Sequence, residues 1–204
     1  MRDNMRILAV GDIHSDKELV ERLAQKADTE KVDLVILAGD LTDNETNIDG
    51  IIGPFLKKKK QVFVIPGNHE TNVTTNFLEE FYGIKNIHGK YVRYKDIGFF
   101  GVGGANMGLY TIDEEEMYDM LKKGFQGVKD IEKKIMVTHI HPSDSKIERF
   151  SSIVTGSSAV RKAIDSFQPN VLICAHVHEA QGIEEIIGKT KVINVSREGK
   201  IIDI

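Results

Sequence analysis

Five short apolar runs, separated by stretches of helical periodicity, place the strongest constraint on how this chain can fold. The runs are continuous rather than alternating, which is typical of strands covered on both faces. They occupy residues 7–10, 34–38, 62–65, 135–137 and 171–175. A βαβαβ first half is followed by two predicted strand–turn–strand pairs, one around Gly98 and one around Gly199. We therefore expect an α/β fold of two packed β-sheets flanked by helices, in a single domain that covers residues 1–204.

Five helices are predicted from their capping residues and apolar stripes. Asp16 can cap the first helix, which carries its apolar residues on one stripe. Asp113 begins the fourth, and Ser157 or Ser158 caps the fifth. The helices cover approximately residues 16–27, 47–58, 73–82, 113–123 and 158–167.

The composition is that of a globular protein and excludes several classes. The chain has 204 residues, of which 41% are hydrophobic, and is long enough to bury a core. Its net charge of −4 disfavours nucleic acid and anionic membranes as partners. The one cysteine, Cys174, rules out an internal disulfide and suits a reducing compartment. The sequence shows neither a signal-peptide pattern nor an apolar stretch of membrane-spanning length. We therefore expect a cytoplasmic protein.

Residues of metal-ligand type stand directly after each of the five apolar runs. The C-terminal ends of parallel strands and their loops form the usual site of an α/β sheet. Six of the seven histidines lie in these segments, and only His88 lies outside them. The segments are Gly11-Asp12-Ile13-His14, Gly39-Asp40-Leu41-Thr42-Asp43, Gly67-Asn68-His69-Glu70, Thr138-His139-Ile140-His141 and His176-Val177-His178. We expect their carboxylates, imidazoles and amide to meet at one sheet edge.

These residue types suit a pair of divalent cations. Carboxylate, imidazole and amide ligands without a thiolate favour Mn, Fe, Zn, Co or Ni. An aspartate between two cations can bridge them at roughly 3.5–4 Å, and the pair lowers the pKa of a shared water and clamps the phosphoryl oxygens. Each segment alone has a simpler interpretation as a turn or a helix cap. Their common position at strand ends favours a dinuclear metal site.

The five segments together resemble the signature of calcineurin-like metallophosphoesterases, over residues 12 to 178. The resemblance implies a two-sheet β-sandwich flanked by helices, and hydrolysis of phosphate esters by a metal-bridging hydroxide. One metal would be held by Asp12, His14 and His178, and the other by Asn68, His139 and His176. Asp40 would bridge the two metals. His69 would contact the phosphoryl group and protonate the leaving oxygen, oriented by Asp43.

Three positions depart from the family pattern, and two of them disfavour particular classes of phosphatase. Ala175 replaces the glycine that usually begins the last segment. Asp43 stands where purple acid phosphatases carry a tyrosine ligand, and Asn44 where Ser/Thr protein phosphatases carry an arginine. The segments 39–43 and 67–70 resemble the cyclic-nucleotide phosphodiesterase branch, and residues 156–190 resemble a small archaeal and bacterial branch related to it. A small phosphate-ester substrate is implied, with diesters favoured over monoesters.

Two other functions stay open at this point. One is a non-catalytic metal-binding scaffold of the same fold, which would have no need of His69 and Asp43. The other is a nuclease, which would want a basic groove and further domains. The oligomeric state is also open, a homo-oligomer included.

Three further features carry no firm role. His141 is either a substrate or second-sphere contact or an ordinary loop residue. The segment 156–158 offers its amides to a phosphate or, as we favour, caps the following helix. The glycine-rich segment 101–106 lacks the dinucleotide-binding spacing and is predicted to form a loop that approaches the site.

Overall fold

Two β-sheets face each other across a shared apolar layer in the computed structural model, which describes residues 4–151 and 153–204. The strands are β1 (Arg6–Val10), β2 (Leu34–Ala38), β3 (Gln61–Ile65), β4 (Lys85–Asn86), β5 (Tyr91–Tyr94), β6 (Ile97–Val102), β7 (Lys133–Thr138), β8 (Val171–Cys174), β9 (Glu184–Ile187), β10 (Thr190–Asn194) and β11 (Lys200–Asp203). The helices are α1 (Lys17–Thr29), α2 (Gly53–Lys57), α3 (Asn72–Tyr82), α4 (Glu114–Gln126) and α5 (Ser158–Phe167).

Each sheet has a parallel centre and at least one antiparallel edge strand. The first sheet has the order β11-β1-β2-β3-β4, in which only β11 runs antiparallel to its neighbour. The second has the order β5-β6-β7-β8-β10-β9, with β5 and β9 antiparallel to their neighbours. The predicted βαβαβ unit and the hairpin around Gly98 are confirmed.

The continuous apolar runs follow from burial on both faces of each strand. In β1, Ile7 and Ala9 pack into the layer between the sheets, whereas Leu8 and Val10 pack against α1 and α2 on the outer face. The second sheet repeats this arrangement with α4 and α5 on its outer face. The predicted two-sheet α/β architecture with flanking helices is confirmed.

Most of the predicted helix boundaries agree with the structure. Side chains of Asp16, Asp113 and Ser157 accept backbone amides at the starts of α1, α4 and α5. The helix predicted over residues 47–58 is wrong in its first half, because α2 begins only at Gly53. Asn47 and Gly50 adopt positive φ angles, which an α-helix cannot contain, and Pro54 then occupies the first turn. None of the helices within the described residues has the length and apolar composition needed to cross a membrane.

The C-terminal tail does not form the predicted strand pair around Gly199. β10 pairs with β8 and β9 in the second sheet, whereas β11 pairs with β1 in the first. The Glu198-Gly199 turn therefore carries the chain from one sheet to the other. The physical reason is that β11 can bury an apolar side chain on each face of the first sheet. Ile202 enters the layer between the sheets, and Ile201 packs on the helical side.

Candidate metal centre

The residues predicted as ligands lie at the C-terminal ends of five parallel strands, where the two sheets meet at one edge. Asp12 follows β1, Asp40 follows β2, Asn68 follows β3, His139 follows β7 and His176 follows β8. His14 and His178 stand two residues further along their loops. The structure thus brings together side chains that are up to 166 positions apart in the sequence.

Three groups of side chains are close enough to hold a metal ion, with the ligand atoms of each group within 4.8 Å of one another. They are Asp12, His14 and His178; His14, Asp40 and His69; and Asp40, His139 and His176. Asp40 is shared by two groups, and His14 by two. The arrangement is therefore a continuous row of ligands rather than isolated clusters.

Asp40 is at the middle of this row, and its two oxygens have different surroundings. Oδ1 accepts the backbone amides of Asn68 at 2.8 Å and His69 at 3.0 Å. Oδ2 faces three imidazole nitrogens, Nε2 of His139 at 3.4 Å, of His14 at 3.7 Å and of His69 at 4.0 Å. The amide bonds thus hold the carboxylate so that one oxygen is directed at the imidazoles.

His139 is fully buried and contacts a second predicted ligand, Asn68. The ring of His139 contacts the carbonyl of Ala38 through Nδ1 at 2.8 Å and Oδ1 of Asn68 through Nε2 at 3.0 Å. Because the carbonyl can only accept, Nδ1 carries a proton, and in the neutral ring the lone pair is on Nε2. Once the Nε2 proton has left, the ring is therefore in the tautomer that a metal ligand requires.

Asp12 and His178 lie at the other end of the row, and the backbone of His176 is bonded to Asp12. The backbone amide of His176 donates to Oδ2 of Asp12 at 3.1 Å, and Nε2 of His178 lies 3.5 Å from Oδ1 of Asp12. Among the described residues, neither Asp12 Oδ1 nor His176 Nε2 has a hydrogen-bond partner, although both atoms are buried. Buried polar atoms are rarely left in this state without a ligand.

Four of the predicted ligands have a strained backbone. Asp12, His14, Asp40 and His176 adopt φ angles of 57°, 47°, 50° and 72°. A left-handed conformation costs a non-glycine residue about 1–2 kcal/mol. Such conformations concentrate at functional sites, where the surrounding structure fixes them. The loops therefore give up stability to direct these side chains toward one another.

Two glycines make this close approach possible. A side chain on Gly39 would meet Nδ1 of His139 at 2.6 Å, and one on Gly67 would overlap the carboxylate of Asp40. The Ala175 substitution, in contrast, is accommodated. Its methyl group lies where a side chain on Gly11 would otherwise be, so that a glycine at position 11 leaves room for the alanine.

The charges within the centre are strongly coupled. Burial opposes protonation of His139, but the charge of Asp40 raises the pKa of His139 to about 9. Burial would raise the pKa of Asp40, yet the imidazole of His139 keeps it below its ordinary value. Burial and the neighbouring charge of His139 lower the pKa of His176 to about 3. The carboxylates are therefore ionised at neutral pH and attract positive charge into the centre.

His69 and Asp43 lie at the open side of the centre. Nδ1 of His69 is 3.5 Å from Oδ1 of Asp43, and the rings of His69 and His14 form a T-shaped pair with a centroid distance of 4.7 Å. The side chain of His69 is partly exposed, and that of Asp43 is mostly exposed. The ring of His69 is thus accessible to solvent at the edge of the centre.

Glu70 is a structural member of the centre to which the sequence assigned no role. Its buried carboxylate accepts the amides of Gly67 at 2.7 Å, Leu41 at 3.0 Å and Thr42 at 3.1 Å. Burial and the charge of Asp40 raise its pKa. Glu70 therefore joins the loop after β2 to the loop after β3. Its position in the third segment was visible in the sequence, but its partners were not.

Arg197 is a second residue that sequence reasoning missed. It stands on the segment between β10 and β11, and its backbone amide donates to the carbonyl of Gly11 at 2.9 Å. Asp12 raises the pKa of His178, while burial and the positive charge of Arg197 oppose that shift. The guanidinium therefore acts electrostatically on one of the predicted ligands.

The structure also resolves the role of the segment before α5 and locates His141. Ser157 caps the helix, and Glu114 accepts the hydroxyls of Ser157 and Ser158 and the amide of Ala159. These groups are therefore already engaged within the protein, as the capping interpretation predicted. His141 is buried, and burial lowers its pKa to about 4.

The residues present fit divalent cations. Buried carboxylates and imidazoles face one another, two buried ligand atoms have no partner within the described part of the chain, and the bond of His139 Nδ1 to Ala38 leaves Nε2 to face a metal. Such a mixture of oxygen and nitrogen ligands suits borderline divalent metals. The centre can therefore bind divalent cations.

Comparisons with known proteins agree with this geometry. A family model described as calcineurin-like phosphoesterase matches residues 5–180. An uncharacterised protein of Methanocaldococcus jannaschii is 29% identical over 202 residues, covering 94% of this chain and 88% of the relative. The crystal structure of a Thermus thermophilus protein, TT1561, has a TM-score of 0.78 at 17% identity, with 98% of each chain covered. A structure described as a novel archaeal phosphodiesterase has a TM-score of 0.57 at 16% identity, covering 98% of this chain and 100% of the other. At these identities the two structures are evidence for the fold alone.

Proposed function

The chain belongs to the calcineurin-like phosphoesterase family of metal-dependent hydrolases, and we propose that it uses two divalent cations to hydrolyse small phosphate esters, phosphodiesters ahead of monoesters. The observation that carries this proposal is the position of Asp40. Its Oδ2 atom faces imidazoles of two separate ligand groups, as a residue shared by two cations must.

The proposed ligand sets follow the row of side chains. Asp12, His14 and His178 would hold one cation, Asn68, His139 and His176 the other, and Asp40 both. When bound, two such cations lower the pKa of a water and stabilise charge on the phosphoryl oxygens. Mn, Fe, Zn, Co and Ni are the candidates that these ligands favour.

We assign the proton transfer to Nε2 of His69. Asp43 stands beside Nδ1 and orients the ring, so that Nε2 is on the side of Asp40. A partly exposed imidazole at the edge of the centre can reach the leaving oxygen of a bound ester and give it a proton. His69 is close enough to Asp40 and His14 to complete a ligand group, and the substitution described in the Discussion distinguishes these two roles.

The charge near the centre supports a diester substrate. A diester carries one negative charge on its phosphate, whereas a monoester carries close to two. Arg197 supplies one positive charge beside His178, and position 44 has an asparagine instead of an arginine. The resemblance of the motifs to the cyclic-nucleotide phosphodiesterase branch supports the same preference.

Two further expectations belong to this proposal. We propose that residues 1–204 form one domain, since the layer between the sheets takes residues from strands at both ends of the chain. We also propose a cytoplasmic location, because the one cysteine, Cys174, is buried and free.

The test is a panel of bis-p-nitrophenyl phosphate, p-nitrophenyl phosphate and cyclic nucleotides, each assayed with Mn, Fe, Ni, Zn and Co. We expect metal-dependent turnover that is abolished by EDTA and restored by one or more of these metals, with kcat/KM highest for a diester. Absence of hydrolysis with every metal would support the scaffold alternative. Cleavage of oligonucleotides in preference to small esters would support the nuclease.

A further inference from the structure

The loop from Gly103 to Ile112 is built against the metal centre. The amide of Gly104 donates to Pro66 at 3.2 Å, and the amides of Leu109 and Tyr110 donate to the carbonyl of Asn68 at 2.9 and 3.1 Å. Because Asn68 is a proposed ligand, these bonds fix the tip of the loop at the edge of the site. A loop that approaches the site was predicted over residues 101–106, whereas Gly101 and Val102 end β6 and the loop begins at Gly103.

His88, the one histidine outside the five segments, supports this loop from beneath. Its Nδ1 accepts the amide of Gly103 at 2.9 Å, and its Nε2 lies 3.1 Å from the hydroxyl of Tyr110. Since Nδ1 accepts, the neutral ring carries its proton on Nε2 and donates it to the tyrosine oxygen. Both ends of the loop are therefore anchored, and its tip is preorganised.

The tip of this loop exposes apolar side chains beside a polar site. Met107 is 38% exposed and Leu109 is 54% exposed. Asn106 ties the tip to Thr155 through bonds of 3.1 Å to its carbonyl and 2.9 Å to its hydroxyl. The segment that contains Thr155 also exposes Phe150 and Ile153.

These four side chains, Met107, Leu109, Phe150 and Ile153, are here called the apolar rim. Nine large hydrophobic side chains are exposed in the described residues, and four of them belong to the rim. Single exposed apolar residues are ordinary, whereas several on adjoining segments mark a binding surface. The adjoining ligand Asn68 indicates what the rim would bind.

Resting on the proposed phosphoesterase function, we infer that the apolar rim holds the organic group of the ester. The substrate class is then a phosphate ester with an aromatic or other apolar group, in preference to one with a small polar group. An ester with an apolar group the size of a phenyl ring should bind roughly tenfold more tightly than one without it, because that group loses contact with water on the rim.

The test uses two monoanionic phosphonates that lack a good leaving group, methyl phenylphosphonate and methyl methylphosphonate, titrated calorimetrically into the metal-loaded protein. The rim variant is Met107→Ser/Leu109→Ser. The matched control is Val73→Ser/Phe81→Ser on α3, where the side chains are 76% and 68% exposed and belong to neither segment of the rim. Wild type and control should bind the phenyl compound about tenfold more tightly than the methyl compound. In the rim variant the two affinities should agree within about threefold.

Turnover of the corresponding phenyl methyl and dimethyl phosphate diesters separates this inference from the proposed function. The ratio of their kcat/KM values should fall about tenfold in the rim variant relative to wild type. If all three proteins hydrolyse the diesters with the same ratio of kcat/KM values and show the same phosphonate preference, the inference about the rim is wrong. The proposed phosphoesterase function is then unaffected. If the phosphonates bind as expected but no ester is hydrolysed, the inference about the rim is supported and the proposed phosphoesterase function is wrong. Equal binding of the two phosphonates by wild type would also overturn the rim.

Discussion

Oδ1 of Asp40 accepts the backbone amide of His69 at 3.0 Å. The residue proposed to hold both cations thus also positions the backbone of the proposed proton donor. The dependence runs in one direction, because the bond uses the side chain of Asp40 but only the main chain of His69. The two residues can therefore be tested separately by side-chain substitution.

We predict that Asp40→Asn abolishes activity and weakens both cations together. Asparagine keeps an oxygen that can accept the amides of Asn68 and His69, but it removes the shared negative charge. Loss of even an indirect metal contact typically costs about 10- to 100-fold in affinity, so we expect a loss of at least about 100-fold at each site. Metal content is measured after dialysis by plasma mass spectrometry. His176→Ala, in contrast, should deplete one cation preferentially, and full occupancy of two cations in Asp40→Asn would refute the bridging role.

The second prediction separates chemistry from metal binding at His69. We expect His69→Ala to retain both cations and to lower kcat for alkyl esters on the order of 10²- to 10⁴-fold, the usual effect of losing a general acid. The decrease should be much smaller for nitrophenyl esters, because nitrophenolate leaves without protonation. Asp43→Asn should give a milder form of the same pattern. The measurement compares kcat for alkyl and nitrophenyl esters with metal content on the same samples. Equal decreases for both ester types, or loss of metal, would assign His69 to binding.

The third prediction concerns stability. Glu70→Ala removes the acceptor for the buried amides of Gly67, Leu41 and Thr42, and each unsatisfied buried group costs about 1–3 kcal/mol. We expect the free energy of unfolding to fall by about 3 kcal/mol in urea denaturation. Glu45→Ala is the control, because Glu45 accepts bonds from Thr71 and Thr74 at an exposed position and should cost less than about 1 kcal/mol. Similar losses in both variants would mean that burial of Glu70 is unimportant. A single transition in both is expected if the chain is one domain.

The fourth prediction tests whether the positive charge of Arg197, which acts on His178, also helps to bind the phosphate. A partly exposed charge contributes up to about 1 kcal/mol, which corresponds to about fivefold in affinity. Arg197→Ala should therefore raise KM for bis-p-nitrophenyl phosphate by up to about fivefold with little change in kcat. Arg197→Lys, which keeps the charge, should recover most of the affinity. Identical KM values in wild type and Arg197→Ala would exclude this contribution.

The features that were predictable from sequence depend on local rules, and those that were missed depend on distant partners. The strand runs and the caps at Asp16 and Asp113 follow from burial and from hydrogen bonds within a few residues. The ligand residues were found because parallel strands bring their ends to one edge. Glu70 was assigned no role, because its partners Leu41 and Thr42 are in another loop. The strand β9 was missed because its glutamates hide the apolar pattern.

The C-terminal tail is a case in which local rules predicted a structure that does not form. Two apolar stretches joined by a turn signal at Gly199 predict a hairpin from local rules alone. Which sheet a short strand joins is decided by the free edge that it meets, and that edge belongs to β1, almost two hundred positions earlier. No pattern within the tail contains this information.

The crossing of the tail between the sheets has a consequence for self-association. β11 covers the backbone of β1, which would otherwise be the outer strand of its sheet and present unpaired amides and carbonyls to other molecules. β11 is itself a poor template for further pairing, because it is four residues long and ends in Asp203, whose carboxylate is bound by Arg6. A chain cut before Lys200 would thus expose an apolar edge strand, and it would be expected to aggregate by strand addition.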